Sequence, residues 1–140
     1  MGKINYGKVL MGGIAAGIVA IVLMIFVIAP ILMPFWEAGM KTGMWAQPTA
    51  TRFLFDNAVL LAFGVVATFT YAAVRPRFGG SVQTAILAGI LVALLKDVIP
   101  SLGRLNWSAM ESAQSIILMM TLSGISTLVA TFIGAWIYTE

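Results

Sequence analysis

The chain has 140 residues, 61% hydrophobic and 9% charged, where a soluble domain is about 25% charged. It contains no cysteine and no histidine, which excludes disulfides, thiolate nucleophiles, imidazole acid–base catalysis, and thiolate or imidazole ligation of a metal or haem. The formal charge of +3 is spread over every expected loop, so it speaks for orientation in a membrane and not for a nucleic-acid partner.

Four uncharged runs, 9–36, 57–74, 78–95 and 112–139, can each form a helix across a hydrocarbon core of about 30 Å, which takes roughly 17–25 residues. The expected fold is therefore all-α: a polytopic membrane protein with a single domain over 1–140, its four transmembrane helices at about 7–34, 50–74, 80–97 and 109–138.

The first run follows Lys3 and Lys8 as a secretory signal would, but it far exceeds the roughly 7–15 apolar residues of a signal core, so a retained helix is expected. Gly13, Gly17 and Ala20 stack on one face at steps of four and three, which lets a neighbouring backbone approach closely. Pro30 and Pro34 each remove a backbone donor and can kink or end this helix. Trp36 and Trp45 then fall where an interfacial aromatic belt is expected.

Helix 2 is expected to begin at Pro48 and run to Val74, with Arg52 and Asp56 four apart on one face and able to pair at the water boundary. Helix 3 presents Ser81, Ala85, Ala88 and Gly89 as its small side and stops before Pro100. Ser108 and Glu111 fit a capping box at the start of helix 4. There Ser123, Thr127, Ala130 and Gly134 recur at steps of four, three and four. No internal repeat relates the first helix pair to the second, which weakens the case for a duplicated transporter.

Arg75, Pro76 and Arg77 form the short connection between helices 2 and 3, and the positive-inside rule places it in the cytoplasm with Lys3, Lys8 and both termini. Lys41, Arg52, Lys96 and Arg104 on the other side make the raw count a tie. The inside clusters are the more compact and lie against helix ends without nearby acids.

"YAAVRPRFGG" at 71–80, "TAILAG" at 84–89, "GAWIYTE" at 134–140 and the Gly-Gly of "YGKVLMGGIAAG" at 6–17 resemble an uncharacterised family of short bacterial four-helix membrane proteins. The resemblance spans most of the chain in outline, and its specific part is the turn after helix 2 and the last seven residues. It implies a four-helix fold in a bacterial plasma membrane and no chemistry. Members often carry an amide and a carboxylate inside helix 1, where this chain has the wholly apolar "IVAIVLMIF" at 18–26.

Arg75 and Arg77 are either a headgroup or protein contact, for which guanidinium is suited, or a topology anchor stiffened by Pro76. Glu37, Asp56, Lys96, Asp97 and Glu111 all fall at expected run ends, where a charge is tolerated, whereas a central charge would mark a functional site. Lys96 is also placed to complement a helix C-terminus. Asp56, Asn57 and Asp97 stay on a short list of polar candidates, because a one-turn error in placement would bury them. The nine methionines are scattered and read as adaptable packing and not as a thioether copper site. The hydroxyls of helix 4 read as interhelical packing, with a polar pore as the alternative.

No catalytic, cofactor-binding or metal-binding set emerges, and an enzyme acting on lipids lacks a nucleophile and base to nominate. A small multidrug exporter would carry a glutamate in helix 1, and none precedes Glu37. The early glycine-arginine pattern and helix 3 pore motif of a small fluoride channel are not found either. The leading expectation is a non-enzymatic accessory or scaffolding subunit of a larger membrane complex, or a self-associating bundle. Its packing would use Gly13, Gly17, Ser123, Thr127 and Gly134, and its partners would be the lipid bilayer and other membrane subunits or itself. The alternative is a small oligomeric channel or transporter, motivated by the helix 4 hydroxyls and by Asp56 and Asp97.

Overall fold

A computed structural model describes residues 4–139; Lys3 and Glu140 lie outside the described residues. Four helices follow one another: α1 Tyr6–Lys41, α2 Ala50–Phe78, α3 Val82–Trp107 and α4 Ala113–Thr139, each long and apolar enough to cross a membrane. The protein is thus a multi-pass membrane protein with an all-helical bundle. α1 packs on α2 and α4, and α3 packs on α4 and α2, so α1 and α3 occupy opposite corners.

Each helix begins with a side-chain cap that satisfies an otherwise orphan amide. Asn5 Oδ1 accepts from Lys8 N at 3.1 Å, Thr49 Oγ1 from Arg52 N at 3.3 Å, Ser81 Oγ from Thr84 N at 3.3 Å, and Ser112 Oγ from Ser115 N at 3.1 Å. The start of α4 therefore differs from the expected Ser108 box. Ser108 Oγ does accept from Glu111 N at 3.1 Å. Glu111, however, turns its carboxylate to Arg104, and Ser108 caps the C-terminus of α3 instead.

Three further expectations are corrected. α2 starts at Ala50 and continues past Val74 through Arg75, Pro76 and Arg77 to Phe78, so the arginines form its last turn and the connection is Gly79–Ser81. Gly79 has φ +85°, a conformation that side chains rarely adopt. Arg52 Nη1 donates to Gln47 O at 2.6 Å, and among the described residues Arg52 forms no ion pair with Asp56.

Nor do the prolines end their helices. α1 runs on past Pro34 to Lys41, and α3 passes Pro100 and ends at Trp107. Each helix takes up one π-helical turn, Met24–Ile28 and Leu94–Val98, that ends two residues before Pro30 or Pro100. A proline ring clashes with the carbonyl four residues back and supplies no N–H. Widening the preceding turn to i→i+5 bonding lets the helix continue.

Small residues bring the backbones together. A Cβ on Gly13 would lie 2.5 Å from Val65 Cα, one on Gly17 2.6 Å from Leu61 Cα, and one on Gly64 would run into the backbone of Gly13 and Gly17. α1 also meets α4 where a Cβ on Gly12 would lie 2.6 Å from Gly134 O. Thr68 Oγ1, buried without a conventional hydrogen-bond partner, occupies the place a Cβ would take on Gly134. It faces the glycine Cα–H, a weak but recurring contact between closely packed helices. Large apolar side chains point outward from every helix, Phe26 (73% exposed), Phe55 (69%), Leu95 (70%) and Trp136 (57%) among them, as lipid-facing surfaces require.

At the end carrying the termini, Tyr138 ties three elements together. Its hydroxyl accepts from Asn5 N at 3.3 Å, its ring meets Tyr71 edge-on at 6.0 Å between centroids, and the Arg75 guanidinium stacks over it at 5.5 Å.

Replacing Gly64 by alanine overpacks the α1–α2 crossing and should destabilise the bundle by about 1–3 kcal/mol. Gly124→Ala, where the added methyl meets nothing within 4 Å, should leave stability unchanged or slightly raised. Thermal unfolding of the purified protein in detergent compares them, and equal midpoints would refute the close crossing.

Candidate functional site

Because α3 continues past Pro100, two charges lie well inside it. Lys96 and Asp97 sit near the middle of α3, so at about 1.5 Å per residue even the shorter way to a helix end is roughly 15 Å, half of a ~30 Å hydrocarbon core. Phe63 and Gly64 occupy the middle of α2, Ser123 and Thr127 flank the middle of α4, and Met24 opens the π turn near the middle of α1. The four helices therefore contribute to one site at one depth.

Adjacent residues on an ordinary helix point about 100° apart, which would separate Lys96 from Asp97. Both lie in the π turn, whose larger number of residues per turn narrows that angle. Lys96 Nζ donates to Asp97 Oδ1 at 2.7 Å, to Ser123 Oγ at 3.0 Å and to Thr127 Oγ1 at 3.3 Å. Those contacts use all three ammonium donors. Ser123 Oγ donates to Asp97 Oδ1 at 2.6 Å and Thr127 Oγ1 to Asp97 Oδ2 at 2.7 Å. Each hydroxyl thus accepts from the cation and donates to the anion. The step of four from Ser123 to Thr127 puts both on the same face of α4, and this fixes which face of α4 meets α3.

The carboxylate side chain is 5% exposed and the lysine side chain 17%. The lysine's residual exposure faces a small cavity of about 20 Å³ lined by Met24, Ile28, Phe63, Val92 and Ser126 along with Lys96 itself. That volume suits about one water molecule. The ammonium lies 5.4 Å from the centroid of the Phe63 ring, within range of a cation–π attraction.

Of the residues expected from the sequence, Asp97, Ser123 and Thr127 meet here. Ser123 and Thr127 serve as hydrogen-bonding partners of a buried ion pair in addition to packing. Gly13, Gly17 and Gly134 are contacts within the chain. Asp56 is exposed near the start of α2, and Asn57 Nδ2 bonds back to Phe53 O at 2.7 Å, so neither joins the site. Arg75 is half-buried against Tyr138, and Arg77 is exposed. Lys96 and Phe63 are the site residues that sequence reasoning missed. The available signal was "VIPSLG" at 98–103, which continues the apolar pattern past Asp97 if the proline is read as a distortion and not as a stop. Among the described residues no cluster of three or more carboxylates is poised for a metal.

Breaking one side of a buried ion pair typically costs about 3–5 kcal/mol, while exchanging both partners for apolar residues is often neutral. Lys96→Met should accordingly lower the unfolding midpoint strongly, and Lys96→Met with Asp97→Leu should recover most of the loss. In that double variant the Ser123 and Thr127 hydroxyls can bond back to carbonyls of their own helix. Unfolding in detergent micelles separates the cases, and additive losses would show that the two side chains do not act as a pair. No protein-family model, curated protein or solved structure matches the chain.

Proposed function

We propose that this is a non-enzymatic membrane protein that passes a small ion or polar solute across the bilayer by way of the Lys96–Asp97 site. One observation carries the reading: two ionisable side chains at mid-depth, bonded to α4 hydroxyls beside a cavity to which all four helices contribute. Charges at that depth cost at least about 2.5–3.5 kcal/mol each on insertion scales, and those inside transmembrane segments mark translocation pathways by default. Packing alone gives no reason for them, because apolar residues would hold α3 to α4 as well.

The π turns add support. Such turns concentrate at functional sites, and proline-interrupted spans in corresponding positions of two halves point to a mid-membrane binding site. "MIFVIAP" at 24–30 and "LLKDVIP" at 94–100 stand in that relation. Docking to a larger complex as an accessory subunit is the leading expectation from the sequence, motivated by the small-residue faces. Those on α1 and α2 now have a use inside the bundle.

The working membrane in this reading is a bacterial plasma membrane with both termini in the cytoplasm. Counting Lys96 with neither face supports that orientation: in sequence Lys3, Lys8, Arg75 and Arg77 belong to the terminal side, against Lys41, Arg52 and Arg104 on the other. A phosphatase reporter that works only outside the cytoplasm should stay silent on either terminus, and activity on both would reverse the orientation.

Proteoliposomes containing the purified protein should show a flux several-fold above protein-free vesicles for at least one of protons, alkali cations or halides. Asp97→Asn, which keeps the shape of the side chain and removes its charge, should return that flux to background. A wild type silent toward all of these, or an Asp97→Asn variant as active as wild type, would sink the reading.

A further inference from the structure

The polar atoms that the Lys96 ammonium contacts are all oxygens, Asp97 Oδ1 and the hydroxyls of Ser123 and Thr127, and Thr127 in turn holds Asp97 Oδ2. Such a set is shaped for a cation, and the chain's own side chain takes the cation's place. We propose that Asp97, Ser123 and Thr127 form a binding site for a monovalent alkali cation, and that the Lys96 ammonium is a tethered competitor which a bound cation displaces into the adjoining cavity. This rests on the transport reading for its use but not for the binding itself.

Three observations select the ligand class. Hard oxygen donors with no sulfur or imidazole suit alkali and alkaline-earth ions and not the softer transition metals. A single carboxylate supplies one negative charge, whereas calcium takes 6–8 oxygen ligands, several of them carboxylates in its known sites. An anion would meet the Asp97 carboxylate and two hydroxyls whose protons are already committed to it.

The structure also provides somewhere for the displaced group to go. Lysine carries its charge on a flexible four-carbon stem, and an ammonium head is about as large as the one water molecule that the cavity of about 20 Å³ accommodates. Phe63 offers that head a ring face, and Ser126 lines the same space. Asp97, bonded from three sides, has no comparable freedom and stays as the fixed pole of the site.

Competition gives the test a signature that a purely structural ion pair lacks. A site occupied by the ammonium for most of the time is competent for only a fraction of the time, and apparent affinity falls by that fraction. Equilibrium binding of radioactive sodium to the full-length protein in detergent, with choline chloride holding ionic strength constant, measures it without reference to flux. Wild type should bind saturably, Asp97→Asn should not bind, and Lys96→Met should bind about tenfold or more tightly, because the competent fraction rises toward one. Sodium affinity that is unchanged or lower in a folded Lys96→Met variant would overturn the proposal, as would the absence of saturable binding to wild type. Should Lys96→Met fail to fold, Ser123→Ala and Thr127→Val decide: each should weaken wild-type binding several-fold, and binding indifferent to both overturns the site. Saturable sodium binding without any flux would uphold this inference while removing the transport reading. Flux of another solute with no sodium binding would do the reverse.

Discussion

An ammonium and a carboxylate held at mid-depth in a hydrocarbon layer constrain everything near them. Neither can turn to water, so each donor and acceptor must find a partner inside the bundle. Ser123 and Thr127 supply those partners, and their spacing of four residues dictates the face of α4 that meets α3. The π turn at Leu94–Val98 brings the two charges into register with each other, and Phe63 covers the lysine from α2. Packing elsewhere serves the same end. The glycine contacts between α1 and α2 and between α1 and α4 draw the other helices close enough to enclose a pair that would otherwise face lipid.

The matched distortions in α1 and α3 show how a similarity can exist in backbone and not in side chains. Phe26 and Val27 stand in the first helix where Lys96 and Asp97 stand in the third, counting back from Pro30 and Pro100. No repeat of residue types relates the pairs, yet the same π turn precedes Pro30 and Pro100 at corresponding positions of both helices. In α3 the turn holds charge. In α1 it is apolar, with Met24 and Ile28 lining the cavity beside the lysine.

Much of the fold was legible because lipid imposes simple rules. Long uncharged runs mark the spans, and the steps of four from Gly13 to Gly17 and from Ala130 to Gly134 mark the close crossings, both of which depend only on helix periodicity. Helix ends were harder. Pro48 and the Ser108–Glu111 pair resembled starting signals, but Thr49 and Ser112 cap the helices, because any hydroxyl just before a helix can accept the first free amides. The largest misreading had one cause. Reading Pro100 as a terminus puts Lys96 and Asp97 at a water boundary and makes the Ser123–Thr127 face look like packing. A proline in a transmembrane helix need not end it, since a local π turn and neighbouring helices can satisfy the freed carbonyl. That rescue depends on tertiary contacts that no local pattern contains.

The polar side chains of the site are committed to one another, and this bears on how a solute would cross it. Lysine has spent all three donors and both hydroxyls donate to Asp97, so no donor is left idle to attract a solute while the pair is intact. Entry in the proposed reading therefore begins with the exchange of one cation for another within an unchanged oxygen cage. Such an exchange keeps a cation on the carboxylate throughout, and the cost falls on the displaced ammonium, which the Phe63 ring face and the water-sized cavity must offset. The flexible partner in the pair is the lysine, the room for its head is beside it, and the rigid partners lie on two helices. Movement then needs no separation of α3 from α4 for binding. Release to either side does need one of the helices that enclose the cavity to shift. The π turns of α1 and α3 are where such a shift is least expensive, because their hydrogen bonds already depart from the regular ladder.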